Sequence, residues 1–312
     1  MKIIYMGTPD FSVGPLEALL LAGHEIVLVV TQPDKPKGRG KEMQMTPVKE
    51  CAIRHQISVF QPVRIREAEN VEYLKTFQTD AFVVAAFGQI LSQEILDIPR
   101  LGCFNIHASL LPKYRGAAPI QWVIIDGEKE TGVTIMKMDA GLDTGDMVAK
   151  SVVEISETDT GETLHDKLSE AGSKLIVDTL PTIEDNTASY TPQDNSESCY
   201  AKRLTKSLGF IDWNKSAIEI ERLIRGLNSW PSAYTYFKGK TCKIWSAQAI
   251  EEKVSGEVGS ISHVEKDIIY INTGKGLLAV KELQLEGKKR LSAKEFMLGH
   301  SCEAGMKFSK ES

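Results

Sequence analysis

The chain has 312 residues, 42% of them hydrophobic and 25% charged, with a formal net charge of −5. That length points to two domains rather than one core, and the composition is that of an ordinary globular protein, not a disordered or fibrous one. No run of about 18 apolar residues is present to span a membrane, and the opening MKIIYMG is too short an apolar run for a secretory leader.

Five scattered Cys with no C-x-x-C spacing argue against a disulfide framework or a Cys zinc site, so reduced thiols in a cytoplasmic protein are expected. The six His are isolated from one another, so no metal is expected.

Lys2–Met6 is an apolar run closed by Gly7-Thr8-Pro9-Asp10, which reads as a buried strand turning into a helix. GTPDF lacks G-x-G-x-x-G and a Walker Lys, so a tight turn is the better reading than a nucleotide loop. Apolar residues at helical spacing follow, up to Gly23. Glu25–Thr31, Asp80–Phe87 and Gly102–His107 are further buried strands, with helices around Pro47–His55 and Glu67–Phe77. Strands alternating with helices predict a Rossmann-like α/β domain, a parallel sheet with helices on both faces. Two more strands, TGVTIMKM and DMVAKSVVEI, flank the loop DAGLDTG. Thr160–Leu180 is a long amphipathic helix with Thr160 as N-cap and Thr163 at the capping-box position.

Residues 184–198 are polar and poor in aliphatics, which is linker composition. One helix, SAIEIERLIRGL, and five short β-like runs follow: Ala233–Phe237, Thr241–Ala249, Gly256–His263, Ile268–Asn272 and Leu277–Leu285. They predict a small OB-like β-barrel. The expected division is 1–183, a linker at 184–206, and 207–312. Charge follows it: residues 1–200 hold 18 Lys and Arg against 29 Asp and Glu, net −11, whereas 201–312 hold 19 against 13, net +6. A basic second half is suited to a polyanion such as nucleic acid.

The chemistry concentrates in FNIHASLLPKYRGAAPIQW, residues 104–122. Residues two apart on a strand point the same way, so Asn105 and His107 project together at the carboxyl end of a buried strand, where open α/β sheets bind ligands. A neutral amide donor beside a proton carrier suits acyl transfer. In MDAGLDTGD (Met138–Asp146) a turn-rich loop carries three Asp, one of which could orient His107. Ser109 lacks a nucleophile elbow and Cys103 reads as core, so direct transfer to an external amine is favoured over a covalent acyl-enzyme. Two hydrogen-bonded polar residues at a strand end, and a surface Asp-Gly turn, are the competing readings.

FNIHASLLPKYRGAAPIQW, MDAGLDTGD, GTPDFS and TQPDKPKGRGK together resemble the methionyl-tRNA formyltransferases, within the folate-dependent formyltransferases, from Lys2 to about Gly299. The resemblance implies transfer of the formyl group of 10-formyltetrahydrofolate to the α-amine of methionyl initiator tRNA, with no membrane and no metal, by a monomer. It maps a catalytic triad onto Asn105, His107 and Asp143. Asn105 would donate to the oxyanion, His107 would move protons and help hold negative charge, and Asp143 would orient His107 and raise its pKa.

The folate contacts it implies are Phe87, Gly88, Gln89, Ile90 and Leu91, the turn Ser109, Leu110, Leu111 and Pro112, and Asp139. The tRNA contacts are Arg39 and Lys41 in the basic loop, with Lys206, Lys243, Lys288, Lys289 and Arg290 behind it. Without the resemblance, that loop reads as a disordered surface segment and each Lys as solvated. A sugar-nucleotide formyltransferase, a formyltetrahydrofolate hydrolase and a non-catalytic tRNA-binding protein remain the alternatives.

Overall fold

The computed structural model describes residues 1–37 and 42–309, so Arg39 and Lys41 lie outside the described residues. Two compact units divide the chain. One comprises Met1–Pro119, Glu130–Glu154 and His165–Ala201; the other comprises Ile120–Lys129, Ile155–Leu164 and the chain from Lys202 onward.

The strands of the first unit are β1 (Lys2–Gly7), β2 (Glu25–Val30), β3 (Lys35–Lys37), β4 (Glu42–Gln44), β5 (Val59–Phe60), β6 (Ala81–Ala85), β7 (Gly102–His107), β8 (Arg115–Gly116), β9 (Glu130–Lys137), β10 (Met147–Glu154) and β11 (Tyr200–Ala201). The helices up to residue 184 are α1 (Val13–Leu21), α2 (Pro47–Arg54), α3 (Ala68–Lys75), α4 (Gln93–Leu96), α5 (Pro119–Asp126) and α6 (Gly161–Glu184). Among the described residues, seven strands form one sheet in the order β10-β9-β7-β6-β1-β2-β5.

The five strands from β7 to β5 are parallel. β9 runs antiparallel to β7, and β10 antiparallel to β9. The expected parallel sheet therefore has an antiparallel edge. A nine-residue loop joins β9 to β10, long enough for a hairpin but too short for a crossover. The apolar run of β9 carries no record of its direction.

The parallel strands are buried on both faces, which is why they read as unbroken apolar runs. Alternation then sorts their side chains. Ile4, Met6, Leu28, Val30, Phe82, Val84 and Cys103 share a cluster with Val71 and Leu74 of α3 and Ile95 and Leu96 of α4. On the other face Ile106 and Val133 lie against α6, so closely that a Cβ on Gly172 would stand 2.8 Å from the Ile106 methyl. Helices do cover both faces.

The chain leaves β1 first toward β2 and later toward β6, so the crevice at the carboxyl ends of β1 and β6 is the topological switch point. The GTPDF turn sits there as expected. Gly7 leaves room for Ser12, whose hydroxyl donates to the Ala85 carbonyl at 2.6 Å.

The basic loop begins as an ordered antiparallel pair, β3 with β4. Asp34 at its base accepts from Lys49 Nζ at 2.5 Å and from Gln61 Nε2 at 2.7 Å.

In the second unit α7 (Ala217–Gly226) precedes β12 (Ala233–Phe237), β13 (Lys240–Ile250), β14 (Ile261–Glu265), β15 (Ile268–Asn272), β16 (Leu277–Leu285) and β17 (Leu291–Ser292), and α8 (Ala293–Gly299) follows. The antiparallel order is β12-β13-β16-β15-β14, with β17 beside β16. The edges β12 and β14 are joined through a late segment. Ile261 N–H donates to the Met306 carbonyl, and the Phe308 carbonyl accepts from Thr235 Oγ1 and Trp213 Nε1, each at 2.6 Å. Phe308 is fully buried. Sequence reading found the five main strands, although β14 begins at Ile261 rather than Gly256 because the chain still turns at Gly259, φ +78°, and α8 and this closing segment lay beyond it.

Thr160 and Thr163 open α6 with reciprocal side chain-to-backbone bonds at 2.9 and 3.2 Å, as their spacing predicts. Ser216 and Glu219 do the same for α7. The Ser216 hydroxyl and backbone N–H, with Lys215, hold the Glu219 carboxyl down to about 2. Removing the cap with Ser216→Ala should cost roughly 1 kcal/mol of stability at neutral pH, read by denaturant unfolding. A depressed carboxyl contributes fully above its unfolded value near 4.5 and loses that contribution as pH falls toward 2. The gap between wild type and variant should therefore narrow across that window.

Candidate active site

Asn105 and His107 lie on β7 as expected. Asn105 is flanked by Val84 of β6 and Met136 of β9, and His107 by Thr134. Since β9 ends opposite Phe104, three residues before His107, its loop begins about 10 Å back along β7. To meet the imidazole it must fold back over the sheet. Asp143 makes that turn in the left-handed region, φ +53°, which Asp tolerates better than most residues. Gly145 allows the return, because a Cβ there would collide with the Lys137 carbonyl.

The imidazole belongs to a residue only 5% exposed and is held at Nε2. Nε2 is 2.9 Å from the Tyr114 carbonyl oxygen. A carbonyl only accepts, so Nε2 carries the hydrogen and the lone pair of the neutral ring is on Nδ1. Nδ1 faces Asp143 Oδ2 at 3.8 Å. The same Oδ2 accepts from the Gly116 backbone N–H at 2.8 Å. Gly116 has φ +109°, and a Cβ there would press within 2.5 Å of the Tyr200 ring.

The Asn105 amide makes no hydrogen bond among the described residues. The Cys103 thiol is buried and its pKa is pushed well up by that burial, so it stays protonated. The Ser109 hydroxyl is buried and donates to the Lys113 carbonyl at 2.7 Å. Neither is an available nucleophile.

The segment Phe87–Leu91 lies at the switch point, where the Phe87 carbonyl accepts from Thr8 Oγ1 at 3.1 Å and Gln32 Nε2 at 3.2 Å. Gln89 is turned away into the loop before α3, accepting from Ile65 N–H and donating to the Pro62 carbonyl. Phe87 and Leu91 are buried, Gly88 is exposed with φ +82°, and Ile90 is 73% exposed.

In the turn at 109–112, Ser109 and Leu111 are buried supports whose backbones bond Thr134 Oγ1, while Leu110 and Pro112 are half-buried. The Asp139 carboxylate closes its own loop, accepting from Gly141 N–H and Thr144 Oγ1. The same loop carries Leu142, 54% exposed.

Sequence reasoning missed Tyr114, Gly116 and Gln193. The first two lie inside the quoted stretch, and Gly116 could have been found from its place in a turn. Gln193 lies in the segment of linker composition, yet Thr191 pairs with Met147 and Tyr200–Ala201 pair with Arg115–Gly116. Gln193 Nε2 donates to the Asp143 and Gly145 carbonyls at 2.9 and 2.8 Å.

In the second unit, Lys243 Nζ and the Arg290 guanidinium both lie over the Trp245 ring, 5.3 and 5.1 Å from its centroid. The indole N–H donates to Gln284, which in turn bonds the Lys288 carbonyl. Lys243 and Arg290 thus share one aromatic ring, and Lys288 and Lys289 are exposed just before Arg290 in the chain. Lys206 is exposed on a turn just before Phe210, which pairs with Tyr234, the cross-strand neighbour of Lys243. Arg290 also pairs with Glu282, and Lys243 reaches Ser232.

Contrary to the isolation read from the sequence, His55 stands with Glu17 and Cys51, their ligand atoms within 4.8 Å of one another. His55, which caps the end of α2, is four residues after Cys51. Arg54 already pairs with Glu17 at 2.8 Å, and burial and the Glu17 charge push the thiol up to about 11. Both effects oppose a cation. No helix among the described residues is long and apolar enough to cross a membrane.

A formyl transferase family model matches residues 1–180, and the model of the formyl transferase C-terminal domain matches residues 203–301. The methionyl-tRNA formyltransferase of Agathobacter rectalis is 60% identical, over 99% of this chain and the whole of that one. That of Alkaliphilus oremlandii is 51% identical over 98% of each chain. Among solved structures, the Helicobacter canadensis N-formyltransferase in complex with folinic acid and dTDP-3-aminofucose superposes with a TM-score of 0.69 at 21% identity, over 90% of this chain and 98% of that one. The chain belongs to the formyl transferase family, in its methionyl-tRNA formyltransferase branch.

Proposed function

We propose that the chain transfers the formyl group of 10-formyltetrahydrofolate to the α-amine of methionine carried by initiator tRNA. The carrying observation is the site itself: a buried imidazole whose Nε2 hydrogen is committed to Tyr114, a carboxylate facing Nδ1, and an unpartnered amide two residues earlier on the same strand. Relatives of the same length that bear the methionyl-tRNA formyltransferase name support the substrate.

The folate fits the residues present. Ile90 and Leu142 are exposed apolar side chains on the loops that follow β6 and β9, suited to a flat heterocycle. By family resemblance the segments Phe87–Leu91 and 109–112 and Asp139 on the β9 loop are assigned to the folate as well. When bound, the folate supplies an activated formyl carbon. Asn105 Nδ2 donates to the formyl oxygen as charge gathers on it. The attacking amine must shed a proton, and His107 Nδ1 is the ring lone pair available to take it, with Asp143 stabilising the resulting cation. Once protonated, Nδ1 becomes a donor that can return the proton to the departing nitrogen. The C–N bond to methionine forms as the bond to the folate nitrogen breaks.

Loss of one oxyanion donor costs about 2.7–4 kcal/mol in comparable enzymes. Asn105→Ala should therefore lower kcat by roughly 100- to 1000-fold. The assay offers methionyl initiator tRNA, a sugar-nucleotide amine and water as acceptors. Formylation of the tRNA alone is expected; transfer to the sugar or to water would sink the substrate assignment.

We assign tRNA contact to the second unit around Trp245 and to the basic loop with Arg39 and Lys41. Such contacts position phosphates rather than read bases. Affinity for tRNA should fall steeply with salt. Lys288→Ala and Lys289→Ala should each flatten the slope of log K against log salt by about one. Unchanged slopes would place the tRNA elsewhere.

A further inference from the structure

We propose that Gln193 is a positioning residue for formyl transfer: its amide clamps the backbone of the Asp143 loop, and buried Arg115 orients it. The inference rests on the function proposed above and adds a residue that family resemblance did not supply.

Asp143 is an exacting residue to hold. It sits at a left-handed turn in a loop that folds back over the sheet, and its Oδ2 must face both Gly116 N–H and His107 Nδ1. Its carboxylate has fixed partners, but they do not fix the backbone that carries it. Gln193 does. One NH2 group donates to the carbonyls of Asp143 and Gly145, on both sides of Thr144. The Gln193 oxygen accepts from Arg115 Nε at 2.9 Å, which settles which end of the amide faces the loop. Arg115 is 9% exposed, and its Nη2 has no hydrogen-bond partner among the described residues. The Gln193 oxygen is therefore an anchor that the guanidinium has reason to keep.

The segment around Gln193 grips the other half of the pair as well. Upstream, Thr191 and Met147 exchange backbone bonds at 2.9 Å. Downstream, the Cys199 carbonyl accepts from Arg115 N–H and the Ala201 carbonyl from Ala117 N–H. Those bonds hold the Tyr114–Ala117 turn, whose Tyr114 carbonyl fixes His107 and whose Gly116 N–H fixes Asp143. One strap, 191–201, thus sets the backbone under both the acid–base ring and its carboxylate. A misplacement of about 1 Å at such a pair can cost on the order of 100-fold in rate.

Gln193→Glu keeps the acceptor for Arg115 and adds charge to that contact, but it removes the two donors to the loop. Gln193→Ala removes everything. Both should lower kcat for methionyl-tRNA formylation by about 10- to 100-fold, with KM for tRNA and for the formyl donor within about twofold; the Glu variant, which keeps the Arg115 contact, should unfold at the wild-type temperature, and the Ala variant, which strands the buried Arg115 Nε, a few degrees lower. The Glu variant should be no better than Ala. Full rescue by Glu would mean that Gln193 serves only Arg115, and near-normal kcat in both variants would equally overturn the proposal. Loss expressed as a raised KM, or as unfolding of the Glu variant at the assay temperature, would make the residue a binding or structural one. If wild type formylated another amine or water instead of tRNA, the substrate reading would fall. The same variants measured on that reaction would still decide the role of Gln193.

Discussion

One hydrogen bond organises the proposed reaction centre: His107 Nε2–H to the Tyr114 carbonyl, made by a residue that is itself only 5% exposed. A buried imidazole cannot leave a polar nitrogen idle, and a carbonyl partner leaves it no choice of tautomer. The lone pair is thereby assigned to Nδ1, on the side where Asp143 waits. A ring held by a Ser or a water could rotate its roles; this one cannot without breaking a buried bond. In the proposed reaction, Nδ1 is then a base that becomes a donor only after it has accepted a proton, as a transfer between two nitrogens requires.

The rest of the first unit places three backbones around that ring. The parallel strands set Asn105 and His107 two residues apart on one face of β7, with Ile106 pinned against α6 on the other. The switch between β1 and β6 opens the crevice beside them, and Thr8 and Gln32 brace its far wall at Phe87. The hairpin from β9 to β10 brings Asp143 back across the sheet, and residues 114–116 close from the remaining side. The second unit contributes a surface of a different kind, with cations gathered over Trp245. A groove of about 880 Å³ at the opposite end of the sheet, beside Lys2 and Asp80, has four of its charges paired with one another: Asp80 with Arg100 and Lys75 with Glu94.

Much of this was written in the sequence because local chemistry carries it. The alternation at Asn105 and His107, the turn after Gly7, the Thr160 cap and the short strands of the second unit each depend on neighbours within a few residues. What escaped depends on distant ones. Buried runs such as VTIM are equally apolar in either direction, so the antiparallel edge left no mark. Pro119 sits in a Gly- and Pro-rich stretch that reads as a turn, yet it is the first residue of α5, a position where its fixed φ and missing N–H are favourable. Cys51 and His55 look isolated until a helix brings i and i+4 together. Gln193 is one polar residue in a polar segment, and its importance exists only once the Asp143 loop has folded over to meet it.

The proposed proton transfer depends on the tautomer of His107, and nitrogen NMR of the protein labelled with ¹⁵N-histidine reads that tautomer directly. The neutral ring should show a protonated Nε2 and a bare Nδ1, with the Nε2 hydrogen shielded from rapid solvent exchange. A protonated Nδ1 in the neutral ring would put a hydrogen between His107 and Asp143, remove the lone pair from the face where the amine proton must arrive, and contradict the mechanism.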